Sequence, residues 1–282
     1  MAKISIITPY RNAAQFLPGL VHTLKNQSYG HWECLLIDDN SQDQGAELVA
    51  ELTATDGRFR LLSLAPQPIN AIQNRLPARP RNLGLHYATS PLIAFLDVDD
   101  LWHPQKLERQ LSFHRSNRLD LSVTAYGRFR WMDQPIAALR CPPTQLSLSQ
   151  LQQRNPIPLL SVLIRKDLLS SGFIHTHHED YLQWLNLRRD HPGLRYGCLN
   201  EVLAFYRLHD GNLTSRRPAL MAWTYRVFRL HGLTRRKSIG QALRWGISQG
   251  STLLQEFLQR QEHLPTAVDL LHSMPPQTVP LR

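Results

Sequence analysis

The segment PLIAFLDVDD, residues 91–100, joins the pattern of a buried strand to a cluster of carboxylates. Its apolar run is short and lies between a proline and an aspartate, which is typical of a strand inside a sheet. Asp97, Asp99 and Asp100 follow that strand directly. Because ligands of open α/β sheets bind at the carboxyl ends of the strands, we expect these acids to lie at a ligand site.

Three further strands are predicted before this segment, at residues 3–9, 32–38 and 59–64. Apolar residues at helical spacing follow the first and second of these strands. A proline-rich loop with a short helix near 81–88 is expected before residue 91. This alternation predicts an α/β fold, in which helices flank a sheet that is mainly parallel.

The second half of the chain has a less regular pattern. We predict, in chain order, a helix with proline in its first turn at 101–115, a strand and bend at 121–132, a loop at 141–150, a strand at 159–165, a helix at 180–189 and a strand at 201–209. The predicted organisation is an α/β domain at 1–216, a basic appendage of two helices at 217–264 and a flexible tail at 265–282.

The charge of the chain is unevenly distributed. Its 282 residues are 42% hydrophobic, which suffices for one large core, and carry a formal net charge of +10. Lys and Arg number 10 against 11 acids in residues 1–110, but 22 against 11 in residues 111–282. Residues 216–260 hold nine basic residues and the single acid Glu256. Such an excess predicts a polyanionic neighbour: anionic lipid, a phosphorylated carrier or nucleic acid.

Basic and apolar side chains are interleaved within 217–260, and this mixture fits a helix that lies on an anionic membrane. A helix that packs on its own domain and exposes a basic face is the alternative. No nucleic-acid-binding motif occurs, so a nucleic-acid partner is not expected. The N-terminus runs directly into a strand and no apolar run reaches about 18 residues, which predicts a cytoplasmic protein, peripheral at the inner face of the membrane if it binds there.

The three acids at 97–100 are close enough to raise one another's pKa unless a cation lies among them. Their oxygen atoms suit Mg²⁺ or Mn²⁺ whose coordination is completed by phosphates of a substrate. The alternative is a solvated turn in which Asp100 caps the following helix. Asp38 and Asp39 end the second strand in the same way, and either accept a hydrogen bond from a base or ribose or form a turn into the next helix.

The segment HHEDYLQWLNL, residues 177–187, places Glu179 and Asp180 before apolar residues at helical spacing. Acids at a helix start are favoured by the helix dipole, so the pair has a structural interpretation as well as a catalytic one. His175, His177 and His178 form no HExxH pattern and only weakly suggest zinc. Cys34, Cys141 and Cys198 include no CxxC pair, so neither a zinc site nor a disulfide framework is indicated.

Four segments together, in this order and at this spacing, resemble glycosyltransferase family 2. They are SIITPYRNAAQFLPGLVHTLKNQSYGHWECLLIDDNSQDQ, ARPRNLGLHYATSPLIAFLDVDDLWHPQKLERQ, HHEDYLQWLNL and LAFYRLHDGNLTS, and they span roughly residues 3–216. The resemblance implies a GT-A type fold, that of nucleotide-diphospho-sugar transferases, followed here by the helical appendage.

The resemblance also implies the roles of individual residues. The donor would be held by Thr8, Pro9, Tyr10, Arg11, Asp39, Arg81, Asp97 and Asp99, with Arg79 as the alternative to Arg81. Asp97 and Asp99 would be the DxD pair that binds a divalent metal, Mn²⁺ or Mg²⁺, with His209 as a further ligand. Asp180 would be the general base and Glu179 a supporting neighbour.

The expected activity is inverting transfer of a sugar, from a UDP sugar, to the hydroxyl group of a saccharide or lipid-linked acceptor in surface polysaccharide or glycolipid synthesis. Two alternatives remain open from the residues. A haloacid-dehalogenase-like phosphohydrolase would use Asp97 and Asp99, although that chemistry usually begins at the first strand of the fold. A non-catalytic sugar-nucleotide or carbohydrate-binding protein would not need Asp180. A Rossmann dehydrogenase is disfavoured, since TPYRNAA lacks a glycine-rich turn.

Overall fold

The computed structural model describes residues 3–65, 76–209, 217–259, 264–273 and 276–279. Its strands are β1 (Ile4–Tyr10), β2 (Trp32–Asp38), β3 (Phe59–Ser63), β4 (Leu92–Phe95), β5 (Leu101–Trp102), β6 (Leu121–Phe129), β7 (Ala138–Arg140), β8 (Leu163–Arg165) and β9 (Tyr196–Arg207). Its helices are α1 (Leu17–Lys25), α2 (Gly45–Thr53), α3 (Ala78–Tyr87), α4 (Lys106–Ser116), α5 (Leu148–Gln153), α6 (Glu179–Asp190), α7 (Arg217–Leu230), α8 (Arg235–Gln259) and α9 (Ala267–His272).

All nine strands belong to one mixed sheet, in the order β3-β2-β1-β4-β8-β6-β9-β5, with β7 paired to β6. The pairs β1–β2, β1–β4 and β2–β3 are parallel. Strand β8 is antiparallel to both β4 and β6, and β6 is parallel to β9. Strands β2, β1, β4 and β9 therefore end at the same edge of the sheet, which we call the ligand edge. This confirms the α/β fold and its flanking helices.

The core lies on both faces of the sheet because its central strands are apolar on both sides, as expected of parallel strands covered by helices. Ile7, Leu35 and Phe95 face a cluster that includes α6 residues such as Tyr181 and Leu185. Leu36 and other residues of alternate register face a second cluster with α1 and α4. Gly84 lets α3 approach closely, since a Cβ there would lie 2.6 Å from Cγ2 of Ile7.

Three predicted elements differ from the observed ones. The helix expected at 101–115 begins only at Lys106, because Leu101 and Trp102 form β5 and pair with Phe205 and Ala204 of β9. The strand expected at 159–165 is a 3-10 turn at Leu159–Ser161 followed by β8. The loop expected at 141–150 ends in α5, which a capping box of Ser147 and Gln150 starts. These elements are too short to show a sequence period.

The prediction of a poorly ordered tail after Leu264 is wrong for the described residues. Helix α9 starts with a capping box formed by Thr266 and Asp269. Ala267 and Leu270 are buried in a third apolar cluster with Phe205 of β9. Helix α9 therefore buries an apolar face against the far end of the sheet.

The two helices predicted within 217–260 are α7 and α8, and they break near the predicted HGLTRR segment. The loop expected between the third and fourth strands falls mainly on residues 66–75, outside the described residues, while the short helix near 81–88 is α3. Among the described residues, no helix is both long and apolar enough to cross a bilayer.

Candidate active site

The first wall of the candidate site is formed where β1 and β2 end. Thr8, Pro9 and Tyr10 are the last residues of β1, which extends one residue beyond the predicted strand, and they pair with residues 36–38. Thr8 is fully buried, and its hydroxyl accepts a hydrogen bond from Cys34. At this wall the groups nearest to solvent are therefore the partly exposed Pro9 and the exposed Arg11.

Arg11 and Asp39 lie together at the ligand edge, as the sequence predicts. The Nη1 of Arg11 is 3.8 Å from Oδ2 of Asp39, and the backbone N–H of Asp39 donates to the Tyr10 carbonyl at 2.9 Å. Burial raises the pKa of Asp39, although Arg11 and Arg79 act in the opposite direction. Asn12 has φ 46° and links the two loops, because its side chain accepts from the backbone N–H of Gln42.

The second wall is the turn after β4, where three acids have three different partners. Asp97 accepts from Nη2 of Arg81 at 2.7 Å, and Asp99 Oδ2 lies 2.7 Å from Nε2 of His209. Asp100 accepts from the backbone N–H of Arg207 at 2.9 Å. Asp100 is buried and holds the end of β9, so the alternative in which it caps the next helix is not observed.

The negative charges of the carboxylates in this turn are not fully balanced by neighbouring positive groups. Burial raises the pKa of Asp99, and Asp97 raises it further, while His209 opposes the change. Burial also raises the pKa of Asp100 well above its usual value, with additional contributions from Asp99 and Asp97. A cation near the turn would remove this unfavourable charge.

Arg81 connects this turn to the HHED segment. Its guanidinium is buried, and it donates to Asp97 through Nη2 and to Glu179 through Nη1. Burial lowers the pKa of Arg81, but Asp97 and Glu179 outweigh that effect and the net pKa is raised. Burial raises the pKa of Glu179 to about 7, against the influence of Arg81. Glu179 is therefore a buried partner of Arg81 rather than an exposed acid of the helix dipole.

Asp180 lies in the first turn of α6 and is only partly buried. Its Oδ2 accepts a hydrogen bond from Nδ2 of Asn155 at 3.0 Å. His178 precedes the helix with φ 54°, a left-handed conformation that is uncommon for residues other than glycine. The chain turns sharply there, so that Glu179 enters the core while Asp180 stays accessible.

The appendage packs against this segment. The rings of His177 and Trp223 are stacked, with centroids 3.8 Å apart and planes 12° apart. The His178 ring is edge-on to Trp223 and tilted relative to Trp245, with ring centroids 5.7 and 6.1 Å apart. The start of α6 is therefore held by α7 and α8. In the described parts of the chain, His175, His177 and His178 do not belong to any group of three His, Cys, Asp or Glu that could hold a metal ion.

The donor chemistry of the turn fits a divalent metal bound partly by its substrate. Asp97 and Asp99 offer carboxylate oxygens and His209 a ring nitrogen, all at the ligand edge. The described residues form no complete cluster of three ligands, so phosphate oxygens would have to complete the coordination shell. Mg²⁺ and Mn²⁺ accept such mixed shells, so we still expect one ion of either metal at this turn.

Two contacts of the site were absent from the sequence prediction. Asn155 follows α5 and Trp223 lies on α7, and neither has a local pattern that marks a site. The role of Glu179 as a partner of Arg81 was also missed. Each contact joins residues that are far apart in sequence, which a local pattern does not record.

Comparison with known proteins gives a family match. The model of glycosyl transferase family 2 matches residues 5–177. An uncharacterized glycosyltransferase of Haemophilus influenzae is 30% identical over 232 residues, which cover 81% of this chain and 88% of that protein. The Escherichia coli UDP-Glc:alpha-D-GlcNAc-diphosphoundecaprenol beta-1,3-glucosyltransferase WfgD is 29% identical over 219 residues, with coverages of 76% and 80%.

A similar fold occurs in a solved structure. TarS residues 1–349 of S. aureus, in complex with UDP-GlcNAc, has a TM-score of 0.65 and 19% sequence identity. The match covers 92% of this chain and 77% of that one. At this identity the likeness concerns the fold, and it agrees with the mixed sheet and flanking helices described above.

Proposed function

The chain belongs to glycosyl transferase family 2, and we propose that it transfers a sugar from a UDP sugar to a hydroxyl group of a lipid-linked saccharide, with inversion at the anomeric carbon. The relative WfgD, whose name gives UDP-Glc as donor and alpha-D-GlcNAc-diphosphoundecaprenol as acceptor, supports this donor and acceptor class. Surface polysaccharide or glycolipid synthesis is the proposed context.

The observation that carries the proposal is the buried Arg81 guanidinium. It donates to Asp97, at the end of β4, and to Glu179, next to Asp180. Arg81 therefore ties Asp97, one of the carboxylates expected to hold the donor, to the residue directly before Asp180, the acid expected to activate the acceptor. A site that only bound a nucleotide would not require an accessible acid at this second position.

Asp180 is the proposed general base. It would remove the proton of the acceptor hydroxyl as the oxygen attacks the anomeric carbon from the face opposite the diphosphate. Asn155 donates to one of its oxygens and the stacked His177 and Trp223 hold the start of α6. These contacts fix the carboxylate before the acceptor arrives, which lowers the entropic cost of reaching the reactive geometry.

The donor would bind along the ligand edge. Asp39 would accept from the base or ribose, with Pro9 and Arg11 as the floor of the nucleotide pocket and the buried Thr8 and Tyr10 supporting that floor from below. A divalent ion held by Asp97, Asp99 and His209 would neutralise charge on the leaving diphosphate. Arg81 is buried between two acids, so we propose that it acts on the diphosphate mainly by orienting Asp97.

Family membership argues against the alternative functions that the sequence left open. The family model covers the DVDD segment and assigns the chain to the glycosyltransferases rather than to the phosphohydrolases. Asp97 also follows the fourth strand in chain order, unlike the first-strand nucleophile of those hydrolases.

We expect UDP and Mn²⁺ together to raise the melting temperature more than either of them does alone. At a ligand concentration of 100 times Kd, binding stabilises the folded state by about 2.7 kcal/mol, or roughly 5–10 °C for a domain of this size. A thermal-shift screen of UDP, GDP, ADP and dTDP, each with Mn²⁺ or EDTA, measures this. A larger shift with another nucleotide would revise the donor. No shift with any nucleotide and metal would reject the proposed donor site.

The sequence predicts a membrane-binding helix somewhere within residues 217–260, and we propose that this helix is α8. Val227 and Phe228 of α7 are fully buried, so they are not available to lipid. In α8, by contrast, Ser238, Ala242 and Trp245 face the domain. A second apolar stripe points outward and lies next to basic residues: Ile239, Leu243 and Ile247 are 46%, 52% and 76% exposed, and Arg235, Arg236, Lys237 and Arg244 are exposed too.

This helix therefore packs on the domain and still presents an apolar and basic surface. Such a surface suits the interface of an anionic bilayer, where a lipid-linked acceptor would be located. The proposed location is accordingly cytoplasmic and peripheral at the inner face of the membrane.

Replacing Leu243 and Ile247 with asparagine should weaken binding to anionic vesicles by roughly 10-fold or more, because each exposed side chain would otherwise bury apolar area in the bilayer. Sedimentation with phosphatidylglycerol vesicles at two salt concentrations measures this. Leu61→Asn is the matched control, since Leu61 is 43% exposed on β3. Equal binding by wild type and both variants, or no binding by wild type, would contradict the membrane proposal.

A further inference from the structure

A second cavity lies at the edge of the sheet opposite the ligand edge. Its volume is about 1220 Å³, and α3, the end of α4 and residues 165–172 contribute to its walls. Leu92 at the start of β4 lines the cavity, whereas Asp97 follows the end of the same strand. At about 3.3 Å per residue, these positions are roughly 16 Å apart. The cavity is therefore separate from the proposed transfer site.

The lining of this basic cavity is strongly positive. It includes five Arg or Lys residues and a single acid, Asp167. The cations come from three separate segments of the chain, namely Arg115 in the last turn of α4 and Arg118 just after it, Arg165 and Lys166 at the end of β8, and Arg195 just before β9. Because the fold brings these segments together, the charge is concentrated in space far more than in the sequence.

Two of these arginines are held in place by one buried acid. Asp120 accepts from Nη1 of Arg165 at 3.0 Å and from Nη2 of Arg195 at 2.7 Å. These bonds, with those from Arg195 dominant, hold the pKa of Asp120 well below its usual value. Asp167 binds only Arg165. Asp120 and Asp167 together neutralise two of the five cations and fix two guanidiniums at the cavity.

Arg115 and Arg118 have no acidic partner among the residues that the structure describes. Arg115 is in the last turn of α4, where a cation favours the helix dipole. That effect does not account for Arg118, which has φ 51° at a position where glycine or asparagine is preferred. The dipole of α4 also does not explain why three other cations, from distant segments of the chain, lie in the same cavity.

We propose that the basic cavity binds a ligand that carries two or more phosphate groups. Guanidinium groups pair with phosphate oxygens through two parallel hydrogen bonds, and Arg supplies four of the five cations here. The volume exceeds that of one phosphate and suits a small molecule or a headgroup with several charges. The same chemistry is offered by a soluble oligophosphate and by the headgroups of anionic phospholipids.

Tripolyphosphate is the probe for the first source, titrated into the protein by calorimetry in EDTA so that metal-dependent binding at the ligand edge is suppressed. The double variant Arg115→Gln/Arg118→Gln should raise Kd by roughly 10-fold or more, because hydrogen bonds to charged groups contribute strongly. Both side chains are exposed, so the melting temperature should not change. The proposal is overturned if wild type does not bind tripolyphosphate and the Arg115→Gln/Arg118→Gln variant binds cardiolipin vesicles, whose headgroup carries two phosphates, as tightly as wild type does.

The control is Lys25→Gln/Arg226→Gln, which removes the same charge from exposed positions on α1 and α7, outside the cavity lining and outside α8. It should leave tripolyphosphate affinity unchanged. If both double variants weaken tripolyphosphate equally, binding is a property of net charge and the proposal is wrong. If only the Arg115/Arg118 variant weakens binding to vesicles as well, the ligand is a phospholipid headgroup. The outcome does not depend on the proposed transfer reaction, since no donor or acceptor is present.

Discussion

Asp180→Asn should reduce glycosyl transfer by roughly 10²–10⁴-fold, the usual contribution of a positioned general base. Asparagine keeps an oxygen that can accept from Asn155, so the local structure should be retained. It cannot take up the proton of the acceptor hydroxyl. Donor affinity should change little, because Asp39, Asp97 and Asp99 lie on other strand ends. Initial transfer rates and calorimetric nucleotide affinity on the same preparation measure the two effects separately.

Asp190→Asn is the matched control for this experiment. Asp190 lies at the other end of α6, is exposed and pairs with Arg189, so its replacement should leave transfer unchanged. Glu179→Gln should behave differently from both. It removes a buried acid that accepts from the buried Arg81, so we expect a loss of roughly 1–3 kcal/mol in the free energy of unfolding. Near-normal transfer by Asp180→Asn would end the catalytic assignment.

These expectations depend on a distinction between Glu179 and Asp180 that the sequence alone does not make. In the sequence the two acids are adjacent and either could serve the helix dipole. In the structure the left-handed His178 directs Glu179 into the core, where it meets Arg81 from a segment 98 residues away. Periodicity predicts that a helix starts here, but not which of its first acids becomes buried.

The sequence predicts elements best where one period is sustained. Strand β2 has the predicted bounds, and the carboxylates after β2 and β4 meet at one edge because parallel strands require it. Prediction fails where an element depends on its partner. The two residues of β5 are strand only because β9 passes beside them, and α9 is ordered only because an apolar cluster receives Ala267 and Leu270.

The appendage is a further case in which the structure depends on packing partners that the sequence does not reveal. A basic, apolar segment at the end of the chain predicts either a membrane helix or a packing helix, and the described residues combine both. Helix α7 packs on the start of α6 and the histidines before it through Trp223 and Phe228, while α8 exposes a second apolar stripe. Composition cannot separate these roles, because the direction of each side chain depends on how the two helices pack.

Asp99→Ala should abolish metal-dependent binding of UDP without harming the fold. Burial and Asp97 raise the pKa of Asp99, which means that its charge is unfavourable in the folded protein without a cation. Removing the carboxylate relieves this cost and also loses the contact with His209, so the melting temperature should stay within about 2 °C of wild type. Calorimetry of UDP with Mn²⁺, and again with EDTA, measures the metal-dependent part of the affinity.

Asp97→Ala should also abolish metal-dependent binding, but with a lower melting temperature. Asp97 accepts from Arg81, and its removal leaves that buried guanidinium with Glu179 as its remaining ion-pair partner. Breaking one contact of a buried charge costs on the order of 1–3 kcal/mol. Asp133→Ala makes the same substitution at an exposed loop position and should change neither quantity. Unchanged affinity in both Asp97→Ala and Asp99→Ala would reject the assignment of the metal to this turn, because the third acid, Asp100, is buried and accepts from the backbone of Arg207.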